Sequence, residues 1–234
     1  MCKLPTSIAV AAVFWLLVPG CVPLCRGQLI TVGGGSSDLY DAQGASIQVQ
    51  SGNYQGYLGA GSLGGSFLLG SYASAKMRSG TLTLGDDPIT LDLPTDIFES
   101  SQYLLARGAS FSAHRKGYDI MAFGGATALG GGTPFFQAAS AETPAGMLFL
   151  DTAASDRLHF YSREVFSNQQ TAINGFTFRM RPSLTLGAAG GVGSNQPYLA
   201  SSLDLKLDWL DVKAAYIDAG DRFRRVTVQQ PLNS

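Results

Sequence analysis

The sequence has few side chains that could carry out catalysis, and none of them stands in a pattern that would activate it. His114 and His159 are its two histidines. His114 lies in a short run of basic residues where a solvated turn is expected, whereas His159 alternates with Tyr161 and Arg163 and shares a strand face with them. No serine lies in a Gly-x-Ser-x-Gly elbow. The sequence therefore predicts a protein that is not an enzyme.

Patterns that bind phosphate or metal ions are also missing from the sequence. The glycine-rich runs Gly33–Ser37 and Gly130–Gly132 lack the Lys and Ser or Thr that a phosphate-binding loop requires directly after its last glycine. Asp38 and Asp41 do not have the spacing of a calcium loop, and the Asp86-Asp87 pair is explained by a turn. We expect no cofactor and no metal site.

The first 27 residues have the features of a secretory signal peptide. Lys3 supplies the positive charge, and Ile8–Val18 forms an apolar core that is too short to span a bilayer as a helix. Cleavage after Gly27 removes all the cysteines, namely Cys2, Cys21 and Cys25. The alternative is lipidation of Cys21, although Pro19 fits a lipobox poorly. The interpretation divides the chain into a signal peptide (1–27), an exported segment (28–44) and a β-barrel or partial barrel domain (45–234).

The composition points to an exterior that is not wholly in contact with water. Charged residues make up 14% of the chain, against about 25% in typical soluble domains, and there are 29 glycines. A soluble surface needs charge to stay solvated. The net charge of −1 gives no basic footprint, so the composition predicts no nucleic-acid partner.

From residue 45 onward the hydrophobic pattern repeats every second residue and turn residues interrupt it, which predicts β-hairpins. The four clearest pairs of strands are Thr81–Leu84 with Ile89–Leu93 across a turn at Gly85–Pro88, Leu104–Ala113 with Tyr118–Thr127, Gly175–Met180 with Leu184–Gly193, and Leu199–Asp208 with Asp211–Asp218 across Trp209-Leu210.

Two of these strands have one apolar and one polar face. Phe176, Phe178 and Met180 alternate with Thr177, Arg179 and Arg181, and Leu203, Leu205 and Leu207 alternate with Asp204, Lys206 and Asp208. Successive side chains of a strand point to opposite faces. A soluble β-sandwich would produce the same alternation, so the period alone does not separate the two architectures.

Three further features favour a membrane barrel. The predicted strands are about 8–11 residues long, close to the 9–11 that a tilted membrane strand needs. Tight turns alternate with longer connections, expected at Ala128–Gly146 and Gly193–Pro197, as in outer-membrane barrels. Aromatic residues also gather near strand ends, which suits an interfacial girdle; they are Tyr54, Tyr57, Phe135, Phe136, Tyr198, Trp209 and Tyr216.

With its hairpins GFTFRMRPSLTLGAAGGVGS and YLASSLDLKLDWLDVKAAYID, the chain resembles a bacterial outer-membrane β-barrel protein of the porin-like kind over most of residues 45–229. The resemblance implies an all-β, antiparallel up-and-down meander that forms a transmembrane barrel, with a lipid-facing apolar band around a polar lumen. It also implies outer-membrane lipid and the barrel assembly machinery as partners, and small solutes as cargo.

The sequence therefore predicts a passive channel or structural surface protein of the bacterial outer membrane. The candidate pore-lining residues are Arg179, Arg181, Asp204, Lys206, Asp208, Asp211 and Lys213. Their mixed charge argues against strong ion selectivity. Arg222 and Arg224 offer a basic strip, for which a solvated strand face is the plainer reading. The alternative is a secreted or cell-surface β-sandwich or β-solenoid used in adhesion or carbohydrate binding, in an extracellular or periplasmic location.

The end of the sequence departs from the porin-like pattern. The last strand candidate, Arg222–Val228, is followed by Pro231–Ser234 rather than by a final aromatic residue. We expect roughly twelve strands, and an open edge in lipid would leave backbone groups unsatisfied. Either the first strand closes on the last one, or the chain is the front part of a longer barrel.

Overall fold

The computed structural model describes residues 28–38, 41–95, 102–133, 136–168, 170–221 and 223. The predicted signal peptide, both of its cleavage alternatives, and Arg222 and Arg224 lie outside these residues.

The described residues form thirteen strands, each hydrogen-bonded to the next along the chain in one antiparallel sheet. The strands are β1 (Leu29–Ser37), β2 (Ala42–Ser51), β3 (Tyr54–Leu63), β4 (Ser66–Lys76), β5 (Thr81–Leu91), β6 (Gln102–Arg115), β7 (Tyr118–Thr133), β8 (Phe136–Ala153), β9 (Leu158–Phe166), β10 (Thr171–Arg181), β11 (Leu184–Gly193), β12 (Gln196–Leu207) and β13 (Leu210–Ala219). The predicted all-β meander is confirmed. The described strands form neither two packed sheets nor a parallel coil, and β1 and β13 are the edges of an unclosed sheet.

No helix in the described part of the chain is long and apolar enough to cross a membrane.

The sheet has an inner face, which we define as the face that carries its two buried clusters. One cluster lies on β5–β9 and contains Ile89, Phe123, Met147 and Val165 among its members. The other lies mainly on β9–β12 and contains Tyr161, Ile173, Tyr198 and Ala200, together with Leu93 and Phe223 from beyond β5 and β13. Because opposed residues of an antiparallel ladder share a face, the register assigns every strand position to the inner or the outer face.

Two-residue turns close several hairpins with backbone angles that match the twist of the strands. Gly64 and Gly65 have φ angles of 55° and 76°, and Ser194 and Asn195 have φ angles of 55° and 58°. Positive φ at both positions is the type I′ geometry, which suits the right-handed twist of the paired strands. The predicted loop at Gly193–Pro197 is therefore wrong, because only Ser194 and Asn195 leave the ladder.

The predicted turn at Gly85–Pro88 is also wrong, because β5 runs straight through it and pairs with β6 along its whole length. These residues mark a fork instead. β4 pairs with β5 only between Tyr72↔Gly85 and Lys76↔Thr81, after which β4 continues beside β3 and β5 beside β6. Gly85 adopts a φ of 103° at the point of separation, where glycine avoids the steric cost that other residues would meet.

Two other predicted connections lie elsewhere than expected. Ala128–Gly146 belongs mainly to β7 and β8, whose ladder continues past a register shift between Ala126 and Ala128. Its small residues suggested a loop, but ladder hydrogen bonds are made by the backbone and need no large side chain. The final hairpin closes at Leu207↔Leu210, so its turn is Asp208-Trp209, one residue earlier than predicted.

The connections alternate between two ends of the sheet. At one end, which we call the short-turn end, they span 52–53, 77–80, 116–117, 154–157, 182–183 and 208–209. At the opposite end the longest connection spans 92–101. β8 also lies close to β3 and β4, which are not its ladder partners. The sheet is therefore strongly curled around an interior.

Candidate functional site on the inner face of the sheet

Large apolar side chains of the strands are exposed almost entirely on the outer face. The exposed members at outer-face positions are Ile30, Val32, Tyr54, Phe67, Leu84, Tyr118, Leu148, Leu150, Phe160, Phe166, Phe176, Val192, Leu199, Leu207, Leu210 and Tyr216. A soluble protein hides such residues inside, and an exposed patch of this extent marks contact with lipid or another apolar partner. The inner face carries, beside its two buried clusters, several charged and polar groups.

Five of the seven predicted pore-lining residues share the inner face near the short-turn end. Arg179 lies opposite Thr185, Thr185 opposite Asp204, and Asp204 opposite Lys213. The register therefore forms a row across four neighbouring strands. Lys206 lies opposite Asp211 in the next row.

This group is arranged in pairs of opposite charge. Both Asp204↔Lys213 and Lys206↔Asp211 place an acid opposite a base, an arrangement that stabilises a sheet by about 0.2–1 kcal/mol per pair. Within β12, Lys206 Nζ lies 3.6 Å from Asp204 Oδ2. Asp204 Oδ1 is buried and has no hydrogen-bond partner among the described residues.

The other two predicted residues lie apart from this group. Asp208 is in the turn between β12 and β13. Arg181 follows a register shift in β10 and pairs with Leu184. Leu184 lies opposite Leu205, so Arg181 is on the outer face. The shift therefore separates Arg181 from the row that contains Arg179, which simple alternation along β10 could not have shown.

The most highly connected charge on the inner face is Arg163, which the sequence grouped with His159 and Tyr161 but did not select as a site. Its side chain is 7% exposed and lies 3.0 Å from Asp151 Oδ1 and 3.6 Å from Asp92 Oδ1. Its Nε donates to the Asp92 carbonyl at 3.1 Å, and its Nη1 donates to the Leu150 and Ser162 carbonyls at 3.3 and 3.0 Å. The guanidinium therefore has partners for both its charge and its donors.

Aromatic rings complete the surroundings of Arg163. Its Cζ lies 5.4 Å from the centre of the Phe149 ring and 5.5 Å from that of Tyr161. A cation over an aromatic face is stabilised by about 0.5–2 kcal/mol, more when it is removed from water. Arg163 is therefore a fixed structural charge in the wall of the interior.

Arg163 also holds the segment that follows β5 against the inner face. Besides the contacts of Asp92, Leu93 packs in the buried cluster with Ile173 and Tyr198, and Thr95 Oγ1 forms a 2.7 Å hydrogen bond with the Tyr161 hydroxyl. Residues 92–95 thus cross the interior from β5 to β9. Leu93 and Thr95 are buried, but the sequence did not indicate what they pack against, because their partners are distant in sequence.

A cavity of about 470 Å³ lies beside this segment at the short-turn end. Three acidic residues line the cavity, and each has a basic side chain nearby. Asp92 and Asp151 lie beside Arg163, and Asp119 lies beside His114. Lys76, at the end of β4, and Arg78, in the turn that follows, contribute positive charge. The cavity is therefore polar and lined by both signs of charge.

On the outer face, the charged pair Asp86–Arg107 closes the fork between β4 and β5. Arg107 Nε lies 2.6 Å from Asp86 Oδ1, and its Nη2 donates to the Leu69 carbonyl at 2.6 Å. Asp86 Oδ2 accepts from the Ser71 backbone N–H at 2.9 Å. The two side chains thus form hydrogen bonds with backbone groups of β4 in the part of that strand that no longer pairs with β5.

Some of the predicted girdle residues lie at an end of the outer face and some do not. Tyr54 is 49% exposed at the start of β3, and Trp209 is 80% exposed in the last turn, both at the short-turn end. Tyr216 is exposed on the outer face of β13. Tyr198 instead lies inside, where it stacks on Phe223 with ring centres 4.8 Å apart, and Tyr57 lies on the inner face opposite Tyr72. Phe135 and the side chain of Phe136 lie outside the described set.

Across the described ranges, no group of three or more His, Cys, Asp and Glu side chains is placed to hold a metal ion.

No protein-family model matches the chain, and no curated protein matches it. Solved structures with similar folds include OccAB3 of Acinetobacter baumannii, with 14% identity over 82% of this chain and 65% of that one and a TM-score of 0.46. OpdQ of Pseudomonas aeruginosa has 12% identity over 83% and 64% of the two chains and a TM-score of 0.47. The outer membrane protein OprD of Pseudomonas aeruginosa has 12% identity over 82% and 57% and a TM-score of 0.44.

The chain thus spans about two thirds or less of the length of these proteins. At sequence identities this low, the similarity to these structures concerns the fold alone. The antiparallel up-and-down meander that the sequence resemblance implied is the architecture of the sheet.

Proposed function

We propose that the chain forms the wall of a passive channel in the bacterial outer membrane, through which small solutes pass. The observation that carries the proposal is the difference between the two faces. Large apolar side chains are exposed on the outer face, whereas the inner face carries charged and polar side chains beside its two buried clusters. Outer-membrane barrels have this distribution, because lipid surrounds the wall and water fills the lumen.

The length of the apolar band agrees with this proposal. On the outer face, Tyr54 begins β3 at one end, and Ser62, near its other end, pairs with exposed Phe67. Eight steps of about 3.3 Å, tilted by about 40°, cover roughly 20 Å of membrane depth. Charged outer-face residues within the strands include Asp86 and Arg107, which form an ion pair, and also Glu164 on β9 and Asp218 on β13.

Membrane insertion is tested by extracting the full chain in detergent and running it unboiled and boiled on a denaturing gel, beside fractionation of the cell envelope. We expect an outer-membrane protein whose mobility changes on boiling. Liposomes that contain the protein should swell in an isosmotic solution of a small solute. A freely soluble protein with no mobility shift would overturn the membrane assignment, and intact but impermeable liposomes would overturn the channel.

The lumen role of Arg179, Asp204, Lys206, Asp211 and Lys213 is part of the same proposal. A unit charge about 4 Å from an ion in water changes its energy by about 1 kcal/mol, or about fivefold in relative permeability. Lys206→Glu with Lys213→Glu should therefore increase cation preference in planar bilayers, and Asp204→Asn with Asp211→Asn should increase anion preference. Unchanged reversal potentials in both double variants would place these residues away from the ion path. Arg181→Ala and Asp208→Ala are the matched comparisons.

A further inference from the structure

The inner face of β1–β4 differs from the rest of the interior because it is almost free of charge. Lys76, at the last position of β4, is the one charged residue among its described inner-face positions. Two adjacent rows near the short-turn end combine amides, hydroxyls and aromatic rings. We call these residues the amide–tyrosine patch: Gln48, Gln50, Gln55, Tyr57, Tyr72 and Ser74.

The register brings the patch together from three strands. Gln48 lies opposite Tyr57 and Gln50 opposite Gln55, while Tyr57 lies opposite Tyr72 and Gln55 opposite Ser74. With strands about 4.8 Å apart and alternate residues about 7 Å apart, the patch covers roughly 10 by 7 Å. One or two sugar rings would cover this area.

The Tyr57 ring leans along its own strand over Gly59. A Cβ atom at Gly59 would lie 2.8 Å from Cζ and 3.1 Å from Cε1 of Tyr57, so the glycine leaves the space that the ring occupies. A ring that leans on the sheet presents a face to the interior. Gln48, Gln50 and Gln55 are exposed around it.

We propose that the amide–tyrosine patch binds neutral polyhydroxylated solutes, that is, uncharged saccharides. This inference rests on the proposed channel and names the class of solute that its β1–β4 wall recognises. A charged ligand would find no countercharge within the patch, and an apolar ligand would bury amide groups without hydrogen bonds, which costs free energy. A saccharide offers hydroxyls that pair with amides, which both donate and accept, and C–H surfaces that pack on aromatic faces.

The proposal is tested by calorimetric titration of the detergent-solubilised full chain with maltotriose, beside a charged solute of similar size. We expect saturable binding of maltotriose alone. Tyr57→Ala and Tyr72→Ala should weaken it at least tenfold, whereas Tyr57→Phe keeps the ring and should retain binding within about threefold. Tyr54→Ala is the matched control, because Tyr54 lies on the same strand but on the outer face and is 49% exposed.

The boiling-dependent gel shift verifies that each variant is folded. Absence of saturable binding, equal binding of the charged solute, or an equal loss in Tyr54→Ala and Tyr57→Ala would overturn the inference. The readout does not depend on conduction. Liposomes that pass solutes while the protein binds no saccharide would therefore refute the patch and leave the channel standing, and a protein that binds maltotriose but conducts nothing would refute the channel alone.

Discussion

Asp86 and Arg107 lie directly opposite each other on β5 and β6, and their ion pair spans the place where β4 and β5 separate. Asp86 accepts a hydrogen bond from the Ser71 N–H of β4, and Arg107 donates one to the Leu69 carbonyl of the same strand. Asp86, which the sequence predicted to lie in a turn, thus combines with Arg107 to satisfy backbone groups at a fork in the sheet. In a membrane no water would be available for those groups.

Removing this pair should weaken the fold. Asp86→Ala leaves Arg107 without its carboxylate and Ser71 without its acceptor, which should lower the free energy of unfolding by about 1–3 kcal/mol. Urea unfolding in lipid vesicles, followed by tryptophan fluorescence or gel mobility, measures the change. Asp218→Ala is the control, because Asp218 is exposed near the end of β13. Equal stability of the two variants would contradict the capping role.

Replacement of Arg163 should be among the most damaging changes in the interior. Arg163→Ala removes the base that Asp151 and Asp92 share, together with three hydrogen bonds to carbonyls. We expect the loss of these bonds to lower the free energy of unfolding by about 1–3 kcal/mol. Arg179→Ala, on the exposed part of the same face, should change stability by less than about 0.5 kcal/mol. Chemical unfolding of both variants tests this difference, which would be absent if Arg163 were only a solvated charge.

The hydrogen bond between Thr95 and Tyr161 should be detectable as a coupling between the two positions. Thr95→Val and Tyr161→Phe each remove the same 2.7 Å bond, so each should cost about 1 kcal/mol and the double variant little more than either. A double-mutant cycle in urea gives the interaction energy. Fully additive effects would show that residues 92–95 are not held against β9 in this way.

Glycines of β7 and β10 should respond differently to a methyl group. At Gly175 a Cβ would lie 2.5 Å from Cζ of Tyr161 and 2.7 Å from the Ala188 carbonyl oxygen, whereas at Gly124 the space within 4 Å is empty. Gly175→Ala should therefore destabilise the protein by about 1–3 kcal/mol through overpacking. Gly124→Ala should be neutral. The midpoints of thermal unfolding of the two variants, followed by gel mobility, measure this difference in stability. Similar midpoints would refute the close packing of Tyr161 on Gly175.

How far the sequence predicts this structure depends on the range of the interactions involved. The hairpins around Lys116-Gly117 and Pro182-Ser183 follow from local alternation and turn chemistry, and both are confirmed. Alternation along β12 also placed Asp204 and Lys206 on one face. At Gly85–Pro88 the same rules failed, because a strand that changes partners uses the same residue types as a turn.

The sequence by itself determined that the fold is a meander of hairpins with two chemically distinct faces, since period-two alternation and turn residues act between near neighbours. Only the tertiary structure decided what fills the interior. Asp92 and Arg163 are separated by 71 positions, and Thr95 and Tyr161 by 66. Such contacts depend on how strongly the sheet curls and on where β5 leaves β4. The curl sums small twists over many strands, so no short stretch of sequence encodes it.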